Sequence, residues 1–205
     1  MVFKVIYNWS YCVLNKEYEI VFFGHRKIFK EKEIRQRLLD CVEQHVLNGA
    51  KRFKVGTHGE FDSLALSVCC ELRNKYKDIK ITAVFTTLSF LTKKEDYSIA
   101  DDYKRNNIET MVYPIEDEHF KNQIVVNNRL MVDDCDIVIC YVDMKEYRSG
   151  AKRAVNYAKR QGKQIINLYK EEDKPFYGMT EEEKEAEYKR FMEELHNLNE
   201  QYKKK

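Results

Sequence analysis

"CDIVICYV" (135–142) is the stretch that decides the fold. Apart from Asp136 every residue in it is apolar, and most are β-branched or aromatic. A strand with one face in water alternates polar and apolar positions. A continuous run instead marks a strand buried on both faces, the habit of parallel sheets covered by helices. Working outward, "GAKRAVNYAKRQGK" (150–163) reads as a helix with a glycine stop, and "QIINLY" (164–169) as the next strand. Toward the N-terminus the same alternation recurs. "EIVFFG" (19–24) is a strand, and "EKEIRQRLLDCVEQHVLNG" (31–49) a helix with Ile34, Leu38, Cys41, Val42, His45 and Val46 on one face. Asn48-Gly49 closes that helix. "RFKVG" (52–56) is a short strand, and the helix after it runs through Phe61, Leu64, Ala65, Val68, Cys69, Leu72 and Tyr76. "IKITAVF" (79–85) and "TMVYP" (110–114) complete a set of six strands. Strands separated by helices of this length are βαβ units, so the expectation is an α/β three-layer sandwich with a mostly parallel sheet.

The chain of 205 residues suits one domain with a single substantial core. Hydrophobic residues at 43% and charged residues at 34% are ordinary globular proportions. A net charge of +2, from 36 basic and 34 acidic residues, gives no sequence-independent hold on nucleic acid or an acidic membrane. No apolar stretch reaches the roughly 20 residues that span a bilayer. "MVFKVIYNWSYCVL" (1–14) lacks a sustained apolar segment, and no secretory signal is expected. The six cysteines, Cys12, Cys41, Cys69, Cys70, Cys135 and Cys140, form no C-x-x-C pair and sit mostly in apolar-periodic segments. They read as free thiols of a reducing cytoplasm, and the histidines do not join them at ligand spacing, so neither metal nor cofactor is expected.

Residues 1–18 stand apart as an N-terminal extension that could add an edge strand, and 19–178 hold the α/β domain. Residues 179–205 change sharply in composition. Thr180 is a candidate N-cap, glutamates fill the first turns and lysines the last, matching a helix that complements its own dipole. Its few apolar positions, Tyr188, Phe191, Met192 and Leu198, suit a mostly solvated helix that docks by a narrow face or pairs with another subunit.

In an open parallel sheet, ligands bind outside the carboxyl ends of the strands. Three turns fall at that edge, and each carries glycine beside charge: Gly24-His25-Arg26, "GTHGEFD" (56–62) and "YVDMKEYRSGAK" (141–152). Gly56 and Gly59 allow backbone amides to approach an anion at a helix start, and Asp62 either favours the helix dipole or meets a ligand. Ser149 and Gly150 open a second helix, where Arg148, Lys152 or Arg153 either hold phosphate or line a solvated face. His25 and Arg26 either bind an anion or cap nearby carbonyls.

Taken in order, "FFGHRKI", "GTHGEFDSLA", "NNRLMVDDCDIVICYV" and "SGAKRAVNYAKRQGKQIINL" resemble the YspA-type branch of the SLOG superfamily. That superfamily holds Rossmann-like domains related to the Lonely Guy phosphoribohydrolases and to DNA-processing protein A. The resemblance covers roughly residues 19 to 169. It implies a pocket for a nucleotide or nucleotide-derived ligand, and it carries over Asn128 and Arg129. Lonely Guy enzymes have a P-G-G-x-G-T-x-x-E loop whose glutamate serves catalysis. Setting Gly150 on its second glycine places Asn156 at that glutamate, and an amide cannot exchange a proton as a carboxylate does. Asn156 could still bond a ribose hydroxyl.

Two functions follow as expectations. The first is a nucleotide-binding sensor or carrier without chemistry. The alternative is hydrolysis of an N-glycosidic bond in a nucleoside monophosphate or related nucleotide. Its oxocarbenium-like transition state calls for a carboxylate, and Asp62, Glu60 and Asp143 lie at the right edge. Loss of the glutamate favours binding. DNA binding is disfavoured by the charge balance.

Overall fold

The computed structural model describes residues 17–86, 99–115, 118–146, 149–174, 177–178, 180–183, 185–186, 188–190 and 192–193. Among them, β1 (Tyr18–Gly24), β2 (Ala50–Val55), β3 (Lys80–Phe85), β4 (Glu109–Val112), β5 (Ile137–Tyr141) and β6 (Gln164–Asn167) form one sheet. Their order is β4-β3-β2-β1-β5-β6, and every neighbouring pair is parallel. The helices are α1 (Glu31–Leu47), α2 (Glu60–Lys75), α3 (Ile99–Arg105), α4 (Phe120–Asp133) and α5 (Gly150–Arg160). All six expected strands are present, in a Rossmann-like α/β arrangement.

The continuous apolar runs are central. All five residues of β5 are buried, as are Ile20 to Phe23 of β1, whereas β4 and β6 form the half-exposed edges. Alternation along β1 divides the core between two layers. Val21 and Phe23 join Val138 and Cys140 against Met131 and Val132 of α4 and Ala154, Val155 and Ala158 of α5. The alternate face carries Phe22, stacked on Phe53 at 6.3 Å, and there α2 brings Phe61 against Gly24.

Helix ends follow the sequence punctuation. Gly49 takes φ +102° after α1, and the Asn48 amide donates to the Gln44 carbonyl. After α5, Gly162 at φ +67° lets Lys163 N donate to the Ala158 carbonyl (3.0 Å) and Gly162 N to that of Lys159 (3.2 Å). That is the six-to-one and five-to-two pairing for which a left-handed residue is needed.

The chain divides into two compact units, 1–168 and 169–205. The sheet belongs to the first. In the second, Thr180 Oγ1 accepts from Glu183 N (3.3 Å) and Thr180 N donates to Glu183 Oε2 (2.8 Å), a capping box that bears out the cap expected there. The residues described beyond it, up to 193, are helical; the rest of the expected helix lies outside the described residues, as do 1–16 of the extension expected at 1–18, whose Tyr18 already belongs to β1.

Candidate functional site

From β1 the chain adds β2, β3 and β4 to one side, then returns through α4 to place β5 on the other. The order therefore reverses between β1 and β5, and the loops leaving those two strands part to leave a crevice. A cleft of about 330 Å³ opens there. Nine of the residues expected from sequence line it: Gly24, His25, Arg26, Gly56, Gly59, Asp62, Asn128, Ser149 and Gly150. A second cleft, of about 270 Å³, adjoins it through Asn128 and Gly150 and takes in Arg129 and Asn156. Glu60 and Asp143 line neither, and Arg148 lies outside the described residues.

The glycine after β1 has a packing role. A Cβ on Gly24 would fall 2.3 Å from ring carbons of Phe61, which is fully buried and stacked on Tyr141 at 5.7 Å. Gly24 lets α2 close onto the sheet. His25 then ties the two loops of the crevice together. Its Nε2 accepts from Asp143 N at 2.7 Å, which leaves the ring proton on Nδ1, 3.0 Å from Glu146 Oε2. Both ring nitrogens serve the chain itself, so His25 acts as a clasp of the crevice. Arg26 beside it is exposed on the cleft.

The turn after β2 is closed by its own acid. Asp62, at the third helical position of α2, accepts from His58 N at 2.9 Å and from the Gly59 amide. A Cβ at Gly56 would meet its Oδ2 at 3.0 Å, and one at Gly59 would lie 3.1 Å from the Arg26 Cα. The glycines thus make room for Asp62 and for the neighbouring loop, and the anion in this nest is the carboxylate of the chain. Burial pushes the Asp62 carboxyl up to about 6, against the two amides that favour its ionised form. Glu60 accepts from Ile28 N at 2.8 Å, and its own amide donates to the Arg26 carbonyl at 3.0 Å, lacing the two loops together. Asp143 turns onto Lys145 N at 2.8 Å.

At α5 the arrangement is reversed. Ser149 caps the helix, its Oγ accepting from Lys152 N at 3.2 Å. Gly150 and Ala151 follow as the first two helical residues, whose amides have no acceptor within a helix. Nothing lies within 4 Å of the position a Gly150 side chain would take. The first turn of α5 holds no acid, whereas α1 has Glu31 and Glu33 there and α2 has Glu60 and Asp62.

Three cleft residues escape a reading of sequence. His58 bonds Thr86 Oγ1 through Nε2 at 3.0 Å, and burial, then the Arg26 charge, hold its pKa below the ordinary range. Glu146 reaches the cleft as the partner of His25. Asn127 lines the cleft at 2% exposure; among the described residues its amide nitrogen meets the Met131 sulfur at 3.8 Å and its oxygen has no partner. The signal available was helical spacing, since Asn127 falls four residues before the buried Met131. Among the described residues no cluster of His, Cys, Asp and Glu suits a metal ion, and no helix is long and apolar enough to cross a membrane.

Compared with known protein families and with curated proteins, the chain matches none.

Proposed function

We propose that this protein binds a nucleotide or nucleotide-derived ligand, as a cytoplasmic sensor or carrier, with the ligand phosphate at the start of α5. One observation carries the reading. Of the three helices that begin beside the crevice at β1, β2 and β5, α5 alone has no first-turn acid, and its amino end meets an open cleft. In α2 the amides are taken by Asp62, and α1 carries Glu31 and Glu33 at its positive end. Among the described residues that line the cleft, an anion finds uncommitted amides at a helix start at Gly150-Ala151, with exposed Arg26 lining the same cleft. In the same cleft Ile124 offers exposed apolar surface and Asn127 and Asn128 offer amides, a mixture suited to a base and its sugar. Membership of the YspA-type branch of the SLOG superfamily belongs to the same proposal. Its support is the order of the four motifs and the parallel sheet on which they fall. The free thiols of Cys41, Cys69, Cys70, Cys135 and Cys140 fit a reducing compartment.

A second reading has its own support. Asp62, with a carboxyl held near pH 6 on the cleft, has the character of a general acid for N-glycosidic hydrolysis, protonating the departing base. Binding is preferred, because Asp62 is engaged with two amides and because Asn156 replaces the Lonely Guy glutamate.

Calorimetry with nucleoside monophosphates, diphosphates, ADP-ribose and NAD tests the proposal, comparing the parent with Gly150→Val and Arg129→Ala. The valine has open space, so it costs the fold little and blocks the phosphate position. Loss of binding in Gly150→Val and weaker binding in Arg129→Ala, each with an unchanged melting temperature, is expected. Binding equal to the parent in both variants would move the site elsewhere. Release of free base, abolished in Asp62→Asn, would replace the binding reading with the hydrolytic one.

A further inference from the structure

The smaller cleft is lined by Arg129 from α4 and by Arg153 and Arg160 from α5, together with Asn128 and Asn156. All three arginines are exposed, and among the described residues none has a carboxylate partner. Like charges gathered without a direct ion pair repel one another, and here two of them are held in place by a third group. The Tyr157 hydroxyl donates to Asp133 Oδ1 at 2.9 Å, which fixes its ring between the helices. The guanidinium carbons of Arg129 and Arg160 lie 5.6 and 5.8 Å from that ring's centre. Stacking on a ring uses the face of a guanidinium and leaves the N–H fork at its edge for an anion.

Gly150 and Asn128 line both clefts. The amino end of α5 is thus the junction between the crevice and this arginine-lined groove. Arg153 stands one helical turn beyond Gly150 and Arg160 about two turns further, so the groove continues from the phosphate position along the outer flank of α5. An anion joined directly to a phosphate at Gly150 would enter it. The forked donors match phosphate oxygens in pairs.

We infer that the groove formed by Arg129, Arg153 and Arg160 is a second phosphate subsite, and that the preferred ligand is a nucleotide with a diphosphate group. The inference rests on the phosphate position proposed at Gly150, and it adds the number of phosphates and the residues that read the second. Arg153, one of the basic residues the sequence offered at this helix start, and Arg160, which no motif in the sequence singles out, are specificity-determining residues.

Isothermal calorimetry with each nucleoside 5′-monophosphate and its 5′-diphosphate, on the parent and on Arg153→Ala/Arg160→Ala, separates the possibilities. Both arginines are exposed, and a melting curve checks that the double variant keeps the parent fold. The parent should bind the diphosphate of its preferred base at least tenfold more tightly than the monophosphate. The double variant should lose that preference and hold the monophosphate as the parent does. Raising salt should weaken the diphosphate more steeply than the monophosphate. If monophosphates bind and diphosphates bind no better, this inference fails while the phosphate position at Gly150 stands. Equal weakening of both ligands in the double variant also overturns it, because the arginines would then act on the fold or on the first phosphate. If neither ligand binds the parent, both readings fall together.

Discussion

Replacing Gly24 with alanine tests whether that glycine serves packing. The added carbon would lie 2.3 Å from Cδ1 and Cγ of Phe61 and 2.5 Å from its Cβ. Carbons in contact sit about 3.5–4.0 Å apart, so the overlap exceeds roughly 1 Å. Phe61 has no room to retreat. It is fully buried, its ring stacks on Tyr141 at 5.7 Å, and it occupies the first turn of α2. That turn is pinned by Glu60 N to the Arg26 carbonyl at 3.0 Å and by His58 N to Asp62 at 2.9 Å. Relief therefore requires α2 to shift away from the sheet, and overpacking of this kind costs about 1–3 kcal/mol. For a chain of this size that lowers the melting temperature by roughly 2–10 °C. Urea denaturation and calorimetry measure it. Combining Gly24→Ala with Phe61→Leu should destabilise by less than the sum of the two single changes, since the smaller side chain vacates part of the clash. A Gly24→Ala protein that melts within about 1 °C of the parent, or strict additivity in the double variant, would refute the packing argument.

Other consequences can be checked in the same protein. Asp62 has its carboxyl raised from 3.8 to about 6 by burial, so its contribution to stability is full below about pH 4 and is lost as pH rises through 6. The stability difference between parent and Asp62→Asn, followed by urea melts from pH 4 to pH 7, should therefore move against the parent as pH rises; a flat difference would contradict it. Lys54 bonds Glu19 at 2.7 Å and Asp134 at 3.1 Å, and Glu19 is nearly buried. Lys54→Met should cost about 3 kcal/mol by leaving a buried carboxylate without its main partner, and adding Glu19→Gln should recover part of that loss in denaturant melts. His25→Ala removes the acceptor of the Asp143 amide, so exchange of that amide should rise by roughly fivefold, the equivalent of a hydrogen bond worth about 1 kcal/mol.

The sheet was legible because its signal is short-range. Runs such as "IVFF" and "IVICY" are apolar on both faces, and the structure buries both faces of β1 and β5. Gly49 and Gly162 marked helix ends that need a left-handed residue, and both adopt one. The strand order was not legible, since it depends on α4 crossing the whole sheet to return beside β1. The crevice exists only because of that return, and the pattern of any one element says nothing of it. His25 shows the consequence. As a letter after a strand it resembles an anion ligand, but its partners Asp143 and Glu146 arrive from β5, more than a hundred residues away in sequence.

The two glycine turns show which sequence information was present and how it should be weighed. "HGEFD" and "RSGAKR" both place glycine at a helix start, and by sequence both can receive a phosphate. The difference lies at the third helical position. In α2 it is Asp62, long enough to fold back onto His58 N and Gly59 N and consume the donors that an outside anion would use. In α5 it is Lys152, whose side chain has no acceptor for those amides and instead donates to the Glu146 carbonyl at 2.8 Å. An acid in the first turn satisfies its own helix end at almost no entropic cost, because it is tethered there. A free nucleotide competing for the same amides must give up translational freedom and face a negative charge as well. A glycine-rich helix start is therefore open to a ligand when its first turn is basic or neutral, and closed when an aspartate sits at the third position. That criterion is what favours the proposed phosphate position at α5 over the α2 turn. Asp62→Asn alone should not convert the α2 turn into a second one, because the amide oxygen still occupies the same donors; Asp62→Ala should, and phosphate-dependent shifts of the His58 and Gly59 amides in nuclear magnetic resonance spectra would report it. Shifts at those amides in the parent protein would show that the carboxylate does not guard them.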